Sequence, residues 1–219
     1  MATPYLLIRR EEVPSTQDLA RDSLGDLPVQ VVARRQTSGR GRTGVEWMNA
    51  PAALATSIAF RAEPADRRPF SLMAGVAAVR AMPALGLKWP NDLMLGDDKI
   101  GGILVERSEG VVVTGLGVNV WWPDPPPGVG ALYSVKPDGG LHAEIAGLWG
   151  AEFLAIVASE TWPLQEYRET CLTLGRRITW EPDGAGLARE VSDDGGLIVE
   201  VGASKLILQS GAVRHVRPG

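Results

Sequence analysis

Two stretches far apart in the chain concentrate groups able to handle anions. The run QTSGRGRTG (36–44) sets Arg40 and Arg42 between glycines, and KWPNDLML (88–95) sets Lys88, Asn91 and Asp92 around Pro90, with Lys99 and Gly101-Gly102 following a tight turn. Guanidinium forks beside glycine amides suit phosphate or carboxylate oxygens. Lysines on neighbouring strands can hold a carboxylate and a phosphate together, neutralising charge as an acyl phosphate forms. Gly101 and Gly102, lacking side chains, would let backbone approach a ligand. The same residues would also serve as a solvated loop and a hairpin with solvent-facing lysines, so composition alone leaves both readings open.

Several chemistries drop out. GRGRTG (39–44) matches the dinucleotide fingerprint literally, but residues 45–51 (VEWMNAP) offer no helix whose N-terminus could receive a phosphate. Leu87, Asp98, Val135 and Ser204 precede the four lysines, so no P-loop exists, and G-x-S-x-G is absent. One cysteine, Cys171, and two histidines, His142 and His215, exclude a disulfide framework and a Cys/His zinc site. A reducing cytoplasm is the expected compartment. A net charge of -4 supplies no overall attraction to nucleic acid. Purely apolar runs fall short of the roughly 20 residues of a membrane span, so no membrane association is expected.

The elements that must position these groups follow from periodicity. With 219 residues, 45% hydrophobic, the chain suits one good-sized domain with a small satellite. Tyr5 to Glu11 reads as a strand, and Ser15 as the N-cap of a helix reaching about Leu24, with Asp18 as capping-box acid. Gln30 to Arg35 and Ala53 to Phe60 read as strands, and Phe70 to Met82 as a packed helix. LGLKW, DLML and KIGGILVER make short strands, the last two a hairpin through Gly96-Asp97-Asp98. VVVTGLGVNV (111–120) is almost uniformly apolar and is therefore expected to be central in the sheet. It ends at Asn119, either a strand-end turn former or an amide able to read a base edge. Trp47, Trp89 and Trp121-Trp122 read as core, and Cys171 as a buried hydrophobe. Leu141 to Cys171 reads as two helices broken near Trp162-Pro163, with Leu148, Phe153, Leu154 and Val157 covering the sheet. From about Gly175 to Arg217 short alternating runs form an all-β module. The sum is an α+β fold with a compact barrel appended.

Taken in order, PSTQD (14–18), QTSGRGRTG followed by Trp47, LKWPNDLML (87–95), KIGGILVE (99–106) and GLGVNV (115–120) resemble the biotin protein ligases over nearly the whole chain. GLAREVSDDGGLIVEV (186–201) is similar to that family's small SH3-like domain. The resemblance implies a mixed-sheet catalytic domain over residues 1–173 and an SH3-like β-barrel over 174–219. It implies a two-step reaction, in which biotin attacks the α-phosphate of MgATP to give biotinyl-5'-AMP and a carrier-domain lysine then takes the biotinyl group. Ser15, Thr16 and Gln36 would bond the ureido ring, with Arg40, Gly101 and Gly102 in the same pocket. Arg42 would close over the adenylate. Lys99 would bridge the biotin carboxylate and the α-phosphate. Lys88 and Asn91 would hold the triphosphate and its Mg2+, no metal being fixed by protein alone. Asp92 would orient or deprotonate the acceptor lysine, and Trp47 and Asn119 would help bind adenine.

Two residues depart from the family's pattern. Gln17 stands where Asn is more usual, and Val45 where another Arg is common, which implies weaker retention of the intermediate. The first strand is expected by about Tyr5, leaving no room for the winged helix-turn-helix of the bifunctional members, so DNA is not an expected partner. The expected partner is the biotin carboxyl carrier domain of an acyl-CoA carboxylase, the ligase itself being monomer or homodimer. A lipoate or octanoate ligase is the alternative reading, though those enzymes lack the GRGR and KWPND sequences. A biotin sensor without catalysis is another, but it would have lost Arg42, Lys88 and Lys99.

Overall fold

The computed structural model describes residues 3–45 and 47–216. Glu46, within the stretch read as non-helical, and Arg217, the end of the last expected strand, lie outside the described residues. The first five expected strands form as β1 (Leu6–Val13), β2 (Val29–Gln36), β3 (Ala52–Arg61), β4 (Gly86–Lys88) and β5 (Asp92–Leu95). With β6 (Asp98–Ser108) and β7 (Val111–Trp121) they make one sheet in the order β1-β2-β3-β7-β6-β5-β4. Only β1–β2 is parallel. Central β7 has both faces covered, as its largely apolar run requires.

The two faces differ in side-chain size, and that difference makes the site. On one face Leu54, Ile58, Val112, Leu116 and Val118 join the main core under α2 (Phe70–Ala81) and α3 (Leu141–Ala158). On the other, α1 (Thr16–Asp22) covers a small cluster of Ala20, Val29, Val31, Ala59 and Val113. Farther along that second face the residues are Ser57, Gly115 and Gly117, with Gly102 paired opposite Gly117. Alternation along a strand puts Gly115 and Gly117 on one face, and register brings Ser57 and Gly102 beside them, so the sheet has a floor without side-chain bulk.

Phe60 meets Phe70 and Phe153 edge-on at 5.3 and 5.9 Å, and Trp149 stacks on Phe153 at 5.5 Å, geometries that the ring quadrupoles favour. Trp149 also donates to Ala74 O at 3.1 Å. Leu148 departs from expectation. It is 49% exposed, because the sheet-facing side of α3 is taken by Ile145, Trp149, Phe153 and Ile156. α3 is 18 residues long with a mean hydropathy of 1.4, long and apolar enough for a membrane; here its apolar side packs into the protein core.

After α4 (Leu164–Thr170), strands β8 (Arg177–Trp180), β9 (Gly184–Val191), β10 (Leu197–Val201), β11 (Ser204–Leu208) and β12 (Val213–His215) form a second, antiparallel sheet, ordered β11-β10-β9-β8-β12. Its apolar side, including Ile178, Val191, Leu197 and Val213, belongs to the same core cluster as α2 and α3. Cys171 is buried between α4 and this module, where burial pushes its thiol pKa up.

Candidate active site

One cavity of about 520 Å³ lies on the glycine floor, walled by α1, the 40–47 loop, the β4–β5 turn and residues 211–214 of the second sheet. Both cationic stretches open onto it. Arg40, Arg42, Lys88, Lys99 and Arg214 line it, against one lining carboxylate among the described residues, Asp92.

The blind, polar end is built by the start of α1. Ser15 caps the helix as expected, its hydroxyl accepting from Asp18 N at 3.3 Å. Ser15 does not border the cavity; from this helix the residues bordering the space are Thr16 and Gln17. Thr16 donates to Gln36 Oε1 through both its amide (2.8 Å) and its hydroxyl (3.0 Å), and that hydroxyl lies 2.7 Å from Ser57 Oγ. Gln17 Nε2 reaches Leu104 O at 3.4 Å, while its buried Oε1 has no partner among the described residues. Hydroxyls and carboxamides thus gather in a buried corner, where each hydrogen bond gains strength.

The glycine loop is structured rather than loose. Gly41 N donates to Val45 O (2.7 Å) and Trp47 N to Gly39 O (2.9 Å), around a 3-10 turn at Arg42–Gly44. Arg40 forks onto Asp18 at 2.7 and 2.8 Å and reaches Glu106 at 3.5 Å. This fork holds the Asp18 carboxyl below its ordinary pKa. It also takes Asp18 into an ion pair with the loop, in place of a role confined to its own helix. Arg42 donates to Asn91 Oδ1 (3.0 Å) and Gly211 O (3.3 Å). Val45 stands at the rim, 64% exposed.

The β4–β5 turn carries the remaining charges. Trp89–Pro90 is a cis peptide, and Asn91 is fixed by Nδ2 to Ile103 O at 3.0 Å. Asp92 sits between two ammonium groups, with Lys99 Nζ at 2.5 Å and Lys88 Nζ at 3.8 Å. In this state the carboxylate balances both lysines.

Of the remaining expected residues, Trp47 and Gly102 line the cavity and Gly101 and Asn119 do not. A Cβ on Gly117 would lie 2.7 Å from the Trp47 ring, so the indole lies directly on the floor; its Nε1 is buried without a partner among the described residues. Gly101 serves the sheet, since a Cβ there would lie 2.5 Å from Gly117 O. Asn119 holds the Pro-rich loop, donating from Nδ2 to Gly130 O at 3.0 Å. Sequence reasoning missed Ser57, Gly115, Gly117 and the 211–214 segment. The alternate glycines of GLGVNV, all on one strand face, were the available signal for the floor; nothing in the local pattern marked 211–214. Among the described residues no group of three or more His, Cys, Asp or Glu forms a metal cluster.

Residues 11–121 match the model of the Biotin/lipoate A/B protein ligase family. The chain is 30% identical to the biotin--[acetyl-CoA-carboxylase] ligase of Mycobacterium tuberculosis, in an alignment covering 86% of this chain and 79% of that protein. It is also 30% identical to the Paracoccus denitrificans protein of the same name, over 84% of this chain and 88% of the relative. The fold superposes on biotin protein ligase from Aquifex aeolicus, solved with biotin and ATP, with a TM-score of 0.79 at 24% identity, covering 97% and 99% of the two chains.

Proposed function

The chain belongs to the biotin/lipoate protein ligase family, and from that premise we propose that this cavity activates biotin with ATP as biotinyl-5'-AMP and passes the biotinyl group to a carrier-domain lysine. One observation carries the reading. Cations from two distant stretches converge on one hollow whose closed end is buried, polar and uncharged.

Bringing a carboxylate onto a triphosphate sets like charges together, a repulsion of about 4 kcal/mol per unit pair at 4 Å near a protein surface. Fixed cations offset it at the moment charge builds on the α-phosphate. Lys99 is placed to bridge the two reacting groups, and Lys88 and Arg42 to take the departing pyrophosphate. The carboxylate oxygen forms its bond to the α-phosphorus, and the bond to the β-phosphate oxygen breaks. Once Lys99 and Lys88 turn to phosphate oxygens, Asp92 is released from its pairing. It can then accept a proton from the acceptor ammonium, whose ordinary pKa near 10.4 leaves it protonated at neutral pH. The freed amine attacks the acyl carbon, and AMP leaves with the shared oxygen.

The polar end argues for biotin over lipoate. A ureido ring needs both donors and acceptors, which Thr16, Gln17, Gln36 and Ser57 offer; a dithiolane uses neither, and would leave the buried Gln17 Oε1 without a partner at a cost of about 1–3 kcal/mol.

Finer points of the reading follow. Asn91 would offer a side-chain oxygen to the Mg2+ of MgATP, a cation that would bring its own phosphate ligands. The acceptor is the carrier domain of an acyl-CoA carboxylase, the catalytic unit spans 1–173, and the second sheet is an SH3-like barrel over 174–219. The setting is cytoplasmic, in keeping with a single buried thiol.

The test is the intact mass of a purified apo carrier domain after incubation with this protein, MgATP and equal biotin and lipoate. The expected gain is one biotinyl group, abolished by Lys99→Ala. A lipoyl gain, or biotin binding by calorimetry with no mass gain, overturns the reading.

A further inference from the structure

The turn that carries Lys88, Asn91 and Asp92 is not held by its own sheet alone. Leu172 N donates to Leu87 O at 2.7 Å, Trp89 Nε1 to Gly195 O at 2.9 Å, and Trp89 N to Thr173 Oγ1 at 3.0 Å. Thr173 is fully buried, and its Oγ1 lies 3.0 Å from His215 Nε2 on β12. Since Thr173 Oγ1 already accepts from Trp89 N, its own proton is free to go to an unprotonated His215 Nε2. The result is a directed relay: Trp89 amide to Thr173 hydroxyl to His215 imidazole.

We infer that Thr173 and His215, neither of which lines the cavity, are positioning residues for the phosphate-handling lysine turn, so that they govern ATP use without touching ATP. This rests on the ligase reading above. The relay ends at Trp89, adjacent in sequence to Lys88, whereas the Thr16–Gln36 corner is built from α1, β2 and β3. A fault in the relay should therefore act on the nucleotide and spare biotin. The surroundings favour the neutral imidazole the relay needs: burial and the Lys88 and Arg176 charges push the His215 pKa down, against weaker opposition from Asp97 and Asp92.

The experiment compares Thr173→Val and His215→Leu with the conservative Thr173→Ser and His215→Gln, which keep a hydroxyl and an acceptor. Adenylate formation is measured against ATP and biotin separately, at a temperature where thermal melts show every variant folded. Expected are a rise of about five-fold or more in KM for ATP, or an equal fall in kcat, for Val and Leu, with KM for biotin unchanged and recovery in Ser and Gln. Unaltered ATP kinetics in folded Thr173→Val, or equal losses toward both substrates, overturns the inference. A second readout needs no activity. The imidazole 15N spectrum of the wild-type protein at neutral pH should show His215 carrying its proton on Nδ1; a proton on Nε2 reverses the relay and defeats the proposal. If wild-type protein forms no adenylate, the ligase reading fails, while the tautomer still decides whether the relay exists.

Discussion

Thr16 joins three elements through one side chain, and its removal is the sharpest test at the level of single residues. In Thr16→Val the hydroxyl leaves both Gln36 Oε1 and Ser57 Oγ, and a buried polar group stripped of its partner costs about 1–3 kcal/mol. The urea midpoint should fall accordingly, and KM for biotin should rise with kcat nearly unchanged. Asp92→Asn should separate the two half-reactions. Asp92 is the one carboxylate lining the cavity among the described residues, and its loss leaves the cations that form the adenylate but removes the proton acceptor for transfer. A pyrophosphate burst with slow carrier biotinylation is expected, and equal slowing of both steps would count against that role. Val45→Arg adds a cation at an exposed rim position; slower release of biotinyl-5'-AMP is expected, and equal rates would remove any part for this residue.

Neighbouring glycines on β6 show how an element divides its duties. A methyl on Gly101 would meet backbone, Gly117 O at 2.5 Å, which cannot give way without parting β6 from β7. Gly101→Ala should therefore destabilise the fold by about 1–3 kcal/mol. A methyl on Gly102 meets nothing closer than the Trp47 ring at 3.6 Å but stands beside Lys99 Cε at 3.7 Å. Gly102→Ala should keep its melting temperature and lose affinity for substrate; denaturation and KM measured on both variants check the pair. The sequence assigned both glycines to close approach, and could not tell an approach to ligand from an approach to a partner strand. That distinction lies in register, Gly101 opposite Val118 and Gly102 opposite Gly117, which no single strand declares. Where the pattern was local, at the Ser15 cap, the β5–β6 hairpin and the Trp162-Pro163 break, the elements were legible. Asn119 and Ser15 were readable as polar residues at element ends; the Asp18 amide that Ser15 meets lies in the helix it caps, whereas the Gly130 carbonyl that Asn119 meets comes from elsewhere in the fold and carries no mark in the local pattern.

At the scale of the whole molecule, one core cluster runs from α2 and α3 into the second sheet, and hydrogen bonds from Trp89 Nε1 to Gly195 O and from Arg168 to Val191 O cross the same boundary. Tryptophan fluorescence and circular dichroism should therefore report a single coincident unfolding transition; two separated transitions would mean that the sheets fold apart. Acidification has a definite sign. The His215 pKa is lowered to about 4 from an ordinary 6.5, so the unfolded chain binds a proton that the folded one refuses. Stability is fully present above about 6.5 and declines as pH falls from there toward 4. The Asp18 pairing with Arg40 is lost at still lower pH, because that carboxyl titrates below its ordinary value. In His215→Gln the thermal midpoint should change less between pH 7 and 5 than in the wild type. Finally, Cys171 has a practical consequence. It is the chain's one thiol, it is 6% exposed, and its raised pKa keeps it from the reactive thiolate. A maleimide dye will consequently couple far faster to a single cysteine introduced at the open Val45 position than to Cys171. The native residue need not be replaced before the rim is labelled, and loop closure over nucleotide becomes an optical signal.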